Sequence, residues 1–183
     1  MRIEKLTRKY NLEATYIHFP LHPDTPVEGR SLQALFGSGP EAIAAKHAQM
    51  QQLMAAEGLP YGTRTHTYNS RLAQEIGKWA DCRAGGSAIH DALFKAYFVD
   101  GKNLHDMQVL LAIVDAVGLS VEEAGTVLSE RTFKDAVDAD WGKSRQYGVT
   151  GVPTFVAGRA GVVGAQPYEV IERLLIDAGA QVA

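Results

Sequence analysis

Strand patterning in this chain is confined to two short regions, and everything between them repeats with helical spacing. Ala14–Leu21 alternates and holds the β-branched and aromatic residues Thr15, Tyr16, Ile17 and Phe19. Pro20 and Pro23 end that run, because proline cannot donate to a ladder. Far downstream, Thr154–Ala157 and Gly161–Gly164 flank the turn Gly158-Arg159-Ala160 and read as a hairpin. A strand joined at long range to a hairpin and a covering helix calls for one α/β sheet. The fold class expected is therefore an α/β sheet interrupted by a large all-helical insertion. The boundaries that follow are 1–38 with 148–183 for the sheet unit and 39–147 for the insertion.

The helices announce themselves by spacing and by their ends. Ile3, Leu6 and Tyr10 share one face of a short first helix. Pro40 suits a first helical position, and Ile43, His47, Met50, Leu53 and Met54 follow at helical intervals up to Gly58. Asn69 is placed to cap a helix over 70–83 whose apolar face is Leu72, Ile76, Trp79 and Ala80. Ser87 opens a helix with Ile89, Leu93, Tyr97 and Phe98 as its seam. A further helix runs over 106–117, and Ser120-Val121-Glu122-Glu123 is a capping box for the next. The helix over 132–147 carries Phe133, Val137, Trp141 and Tyr147, with Trp141 expected in the core and Asp138 and Asp140 read as its solvated face. Pro167 opens a last helix with Tyr168, Ile171, Leu174 and Leu175 inward.

Composition narrows the functional classes. The chain has 183 residues and a net charge of -3, and no stripe interleaves basic and aromatic residues, so no nucleic-acid partner is expected. Charges interrupt the apolar stretches every few residues, so no membrane span is expected. Met1–Leu6 is charged throughout and does not read as a signal-peptide core, which makes the cytoplasm the expected location. His18, His22, His47, His66, His90 and His105 form no His-x-His or His-x-x-x-His pair, and no metal site or cofactor is expected. Cys82 is the one cysteine, so a dithiol cycle within the chain is excluded. It falls at the C-terminal end of a helix, where the dipole opposes a thiolate, and reads as a small packing residue.

The stretch Gly148-Val149-Thr150-Gly151-Val152-Pro153-Thr154-Phe155-Val156 resembles the segment of thioredoxin-fold proteins that contains their cis-proline. Gly161-Val162-Val163-Gly164-Ala165-Gln166-Pro167 is similar to the strand-turn-helix that follows it in DsbA-like proteins of the FrnE group. Asn69-Ser70-Arg71-Leu72-Ala73-Gln74 with Lys78-Trp79-Ala80 resembles the opening of that family's inserted domain, and His90–Phe98 its next helix. Phe19-Pro20-Leu21-His22-Pro23 resembles the end of its second strand. Each match is weak alone, but they fall in the same order over nearly the whole chain.

The resemblance implies a thioredoxin-like fold and thiol-disulfide oxidoreductase activity on a protein thiol or peptide substrate. It also implies that Val152-Pro153 is cis and that Val152 presents its backbone to the partner, which pairs there like an added strand. His22 and Asn69 join Val152 and Pro153 as candidate substrate-binding residues. Read alone, His22 is a solvated loop residue and Asn69 an N-cap. No catalytic residue is assigned.

The departure from the family lies at the start. Family members have a first strand running into Cys-x-x-Cys, whereas this sequence opens within what resembles the following helix. A late start is the expectation, and a natural short form is the alternative. In the family the first strand lies between the second strand and the hairpin. Unpaired buried backbone groups cost roughly 1–3 kcal/mol each, against a total stability of about 5–15 kcal/mol. The sheet is therefore expected to close by pairing the Tyr16 strand directly with the Phe155 strand, or through another copy, which makes a homo-oligomer the expected state. Without its dithiol the chain is expected to be inactive in thiol exchange. Two alternatives share the architecture. One is a glutathione-dependent isomerase or transferase of the 2-hydroxychromene-2-carboxylate isomerase or kappa class, with glutathione as ligand. The other is a non-catalytic peptide-binding protein.

Overall fold

Ser120 does what its position predicts, and Asp106, read as the first residue of a helix, stands as its cap. Asp106 Oδ1 accepts the N–H groups of Gln108 and Val109 at 2.8 and 3.4 Å, and Ser120 Oγ accepts that of Glu123 at 3.2 Å. Each satisfies donors that the first turn of a helix would otherwise leave unpaired. The computed structural model describes residues 2–183. Its elements are α1 (Arg2–Lys9), β1 (Arg30–Ser31), α2 (Leu32–Phe36), α3 (Pro40–Ala56), β2 (His66–Thr67), α4 (Arg71–Asp81), α5 (Ala88–Phe98), α6 (Met107–Ala116), α7 (Val121–Glu130), α8 (Lys134–Gln146), β3 (Thr154–Ala157), β4 (Ala160–Val163) and α9 (Tyr168–Asp177).

These group into two compact units, one formed by residues up to Leu21 with Ala139–Ala183, the other by His22–Asp138. The divisions fall earlier than the expected 38/39 and 147/148. β1 pairs antiparallel with β2, and the Leu32 N–H donates to Thr65 O at 2.9 Å, which ties residues 30–32 to the helical unit. At the other end, buried Asp140 accepts the His18 N–H at 3.0 Å, which ties the later part of α8 to the first segment. Asp140 is thus a structural acceptor, where the sequence read a solvated face. Asp138 pairs with Arg71 Nη1 at 2.7 Å.

The helical unit is built on α4. Its Leu72, Ile76, Trp79 and Ala80 are buried, as their spacing predicts, with Ile89 and Leu93 of α5, Leu110 and Val114 of α6, and Ala124, Val127 and Leu128 of α7. Burying each larger side chain of this kind contributes about 1.5–3 kcal/mol. The same helix also buries a charge. Glu75 is 0 % exposed and receives Arg131 Nε on Oε2 and Nη2 on Oε1, both at 2.7 Å, and Arg71 Nε on Oε1 at 2.8 Å. Burial pushes the Glu75 carboxyl up, but Arg131 and Arg71 together outweigh it and hold the group below its ordinary value. The expected apolar face of α3 does not form a core. His47 is buried, but Met50 and Leu53 stand exposed.

In the other unit, β3 and β4 pair antiparallel with Thr154 opposite Val163 and Phe155 opposite Val162. Gly158 has φ +60°, as the first central position of a type II′ turn requires. Leu6, Tyr10 and Ile171 make the buried cluster, with Phe155, Tyr168 and Leu175 packed on it, so α1 and α9 cover one face of the hairpin. The chain ends join alongside. Asn11 N–H donates to Gln181 O and Ala183 N–H to Lys9 O, each at 3.0 Å.

The strand expected over Ala14–Leu21 is not one. The segment makes no ladder among the described residues, and neither β3 nor β4 pairs with it, so direct closure of the Tyr16 and Phe155 segments does not occur within the chain. Propensity is local, but a strand exists only with a partner.

Candidate functional site

The residues after α8 shape a short loop and the hairpin that follows. The Val152-Pro153 peptide is cis. Thr154 Oγ1 donates to Gly151 O at 2.7 Å, folding the loop on itself, and Gly164 N–H donates to Pro153 O at 2.7 Å, extending the hairpin by one more pair. Antiparallel pairing alternates inward and outward along a strand. Pro153, Phe155 and Ala157 therefore direct their backbone groups toward β4. Val152, Thr154 and Val156 turn theirs to the opposite edge, and that edge pairs with no strand among the described residues. Val152 is 49 % exposed and Val156 46 %.

A groove of about 400 Å³ lies over the hairpin face opposite Phe155, lined by Tyr147, Val149, Thr154, Val156, Val163 and Arg159 among others. Tyr147 is 57 % exposed. It stands just beyond the end of α8, so the helical period no longer governs its direction. Arg159 gave no signal in the sequence beyond its place in a turn.

Behind the hairpin, one carboxylate gathers three donors. Glu172 Oε1 receives Lys9 Nζ at 2.7 Å and the Tyr10 and Tyr168 hydroxyls at 3.1 Å. The Lys9 hydrogen bond is the main reason the Glu172 carboxyl lies below its ordinary value. Tyr168 is raised, first by burial and then by Glu172. The cluster clamps α1 to α9.

The other two candidate residues belong to the helical unit. Asn69 Nδ2 donates to Pro23 O at 3.1 Å and Thr25 O at 3.0 Å, while its Oδ1 accepts the Arg71 N–H at 2.9 Å. Its amide is thus engaged in holding the 23–25 loop and starting α4, one residue outside the N-cap position that Ser70 occupies. His22 is exposed, and its carbonyl accepts the Thr25 N–H and hydroxyl at 3.2 and 2.9 Å. So Asn69 and His22 share one loop, and Val152 and Pro153 share another in the other unit. Cys82 caps the C-terminus of α4 and is exposed, a surface thiol in place of the expected packing residue. It lies in a different unit from Pro153.

Among the described residues no three His, Cys, Asp or Glu side chains are grouped so as to hold a metal ion. Among the same residues no helix is long and apolar enough to cross a membrane. Within the hairpin unit, the Thr154 hydroxyl is engaged with Gly151 and the unit has no thiol. Chemically this edge offers backbone donors and acceptors, apolar surface and a cation.

Comparison with known proteins gives consistent results. Residues 1–175 match the DSBA-like thioredoxin domain. The crystal structure of a probable DsbA oxidoreductase from Streptomyces coelicolor is 31% identical and superposes with a TM-score of 0.88, covering 97% of this chain and 81% of that one. An uncharacterized protein of Bacillus subtilis (strain 168), YwbO, is 24% identical over 180 residues, which is 95% of this chain and 86% of the relative. A 2-hydroxychromene-2-carboxylate isomerase structure is 20% identical with a TM-score of 0.73, covering 97% of this chain and 85% of that one, and it shares the fold.

Proposed function

Because this chain belongs to the DSBA-like thioredoxin domain family, we propose that it binds an extended polypeptide segment along the outer edge of β3 and performs no dithiol exchange of its own. The observation that carries the reading is the edge itself. Val152, Thr154 and Val156 turn their backbone groups outward beside the cis Val152-Pro153 bond, with no strand paired to them among the described residues. An added strand satisfies such groups with main-chain hydrogen bonds, and neighbouring pockets supply the choice of side chain. Exchange chemistry requires an attacking thiolate and a second thiol to resolve the mixed disulfide. One cysteine cannot supply both.

Two measurements test this. In insulin reduction by dithiothreitol, the chain gives no rate above dithiothreitol alone, and clear turnover refutes the inactive reading. In backbone NMR, an extended peptide shifts the amides of Thr154 and Val156 before those of the helical unit. Glutathione titration by calorimetry separates the alternative class, since heat from saturable glutathione binding would move the chain toward the isomerase or transferase reading.

A further inference from the structure

We propose that the segment taken up at this edge is apolar and carries carboxylates, selected by Lys143 and Arg159; the inference rests on the peptide-binding reading above and names its ligand class. Two grooves meet at Tyr147. One, of about 400 Å³, crosses the hairpin face toward Arg159. The other, of about 480 Å³, runs along α8 over Ala139, Gly142, Lys143 and Gln146. Ala139 and Gly142 carry the smallest side chains available, so α8 leaves depth there instead of filling it.

The wall chemistry is consistent along the path. Val149, Val156, Val163 and the Tyr147 ring supply apolar surface, and Val156, Val163 and Tyr147 are exposed. Lys143 and Arg159 are the charged residues of the two linings, and no carboxylate lines either groove. Neither cation has a carboxylate partner among the described residues. A strand added to β3 sends alternate side chains to one face, about 6.6 Å apart. Apolar residues at the central ones of those positions lie on the valine and tyrosine surface, and carboxylates at the first and last of them meet a cation at either end of the path. Complementary rim charge of this kind selects partners and makes association depend on salt.

The test uses the full chain and two fluorescein-labelled ten-residue peptides with valine and leucine at the central positions of one strand face and serine on the other. One carries glutamate at the two end positions of the apolar face, the other lysine. In low salt, fluorescence anisotropy is expected to show the glutamate peptide binding about tenfold tighter, a preference that shrinks to about twofold or less at 0.5 M NaCl. K143E/R159E reverses the preference, while K5E/K102E, the same change of net charge outside the grooves, preserves it. Equal affinity for both peptides, or loss of preference in K5E/K102E as well, overturns the charge selection and leaves the edge-binding reading standing. Failure of both peptides to bind a chain whose circular dichroism shows it folded overturns that reading too.

Discussion

Replacing Glu75 with Gln removes the one charge buried in the helical unit while keeping the size of the side chain. Three guanidinium hydrogen bonds of 2.7–2.8 Å end on this carboxylate. The Gln amide nitrogen would face Arg donors where an oxygen now accepts them; Arg131 would lose its counter-charge, and Arg71 would keep only its pair with Asp138. Removing one partner of a buried ion pair costs about 3–5 kcal/mol. For a chain of this length each kcal/mol lowers the melting temperature by about 2–4 °C, so a fall of about 6–20 °C is expected. Thermal and urea unfolding followed by far-UV circular dichroism measures it. Arg173→Ala is the control, because its pair with Asp177 is exposed at both ends and should contribute less than about 1 kcal/mol. The pH dependence carries a second signature. The Glu75 carboxyl lies below its ordinary value in the folded chain, so its contribution is fully present above that ordinary value. It is lost as pH falls through the lower folded value, and E75Q should flatten that part of the stability curve. An E75Q chain that unfolds within about 0.5 kcal/mol of the parent, with an unchanged acid limb, would refute the reasoning.

Two further tests probe other contacts. Glu172→Gln should lower the titration point of Tyr168 toward the ordinary tyrosine value, read by absorbance at alkaline pH, because the carboxylate is one of the groups holding it up. Gly86→Ala should destabilise by roughly 1–3 kcal/mol or more in urea unfolding, since its Cβ would stand 1.7 Å from Ala80 O.

Local features were legible and non-local ones were not. The cap at Ser120, the Pro40 start and the Gly158 turn each act through neighbours within four residues, and each appears where its chemistry predicts. The Ala14–Leu21 segment has strand composition, but its ladder depends on a partner that periodicity cannot supply. Glu75 looks like any polar residue on an amphipathic helix, because Arg131 reaches it from 56 residues away. β1 and β2 are two residues each, too short to show alternation. Within the candidate site, the Val152-Pro153 loop stood out by its motif, while Tyr147 and Arg159 became visible only once the hairpin and the end of α8 were folded together. Asn69, a candidate for substrate binding, holds the 23–25 loop and the start of α4.

The hydrogen bonds that join Asn11 to Gln181 and Lys9 to Ala183 set an order of events during synthesis. Residues 22–138 are continuous and hold every partner their core needs. Leu6 and Tyr10 leave the ribosome first, yet Ile171 and Phe155, which cover them, are made near the end. Translation proceeds at about 5–20 residues per second, so the apolar side of α1 stays uncovered for roughly 8–33 s while the intervening chain is made. Over that interval the nascent chain presents the apolar side of a short amphipathic segment, the kind of surface a ribosome-bound chaperone shields.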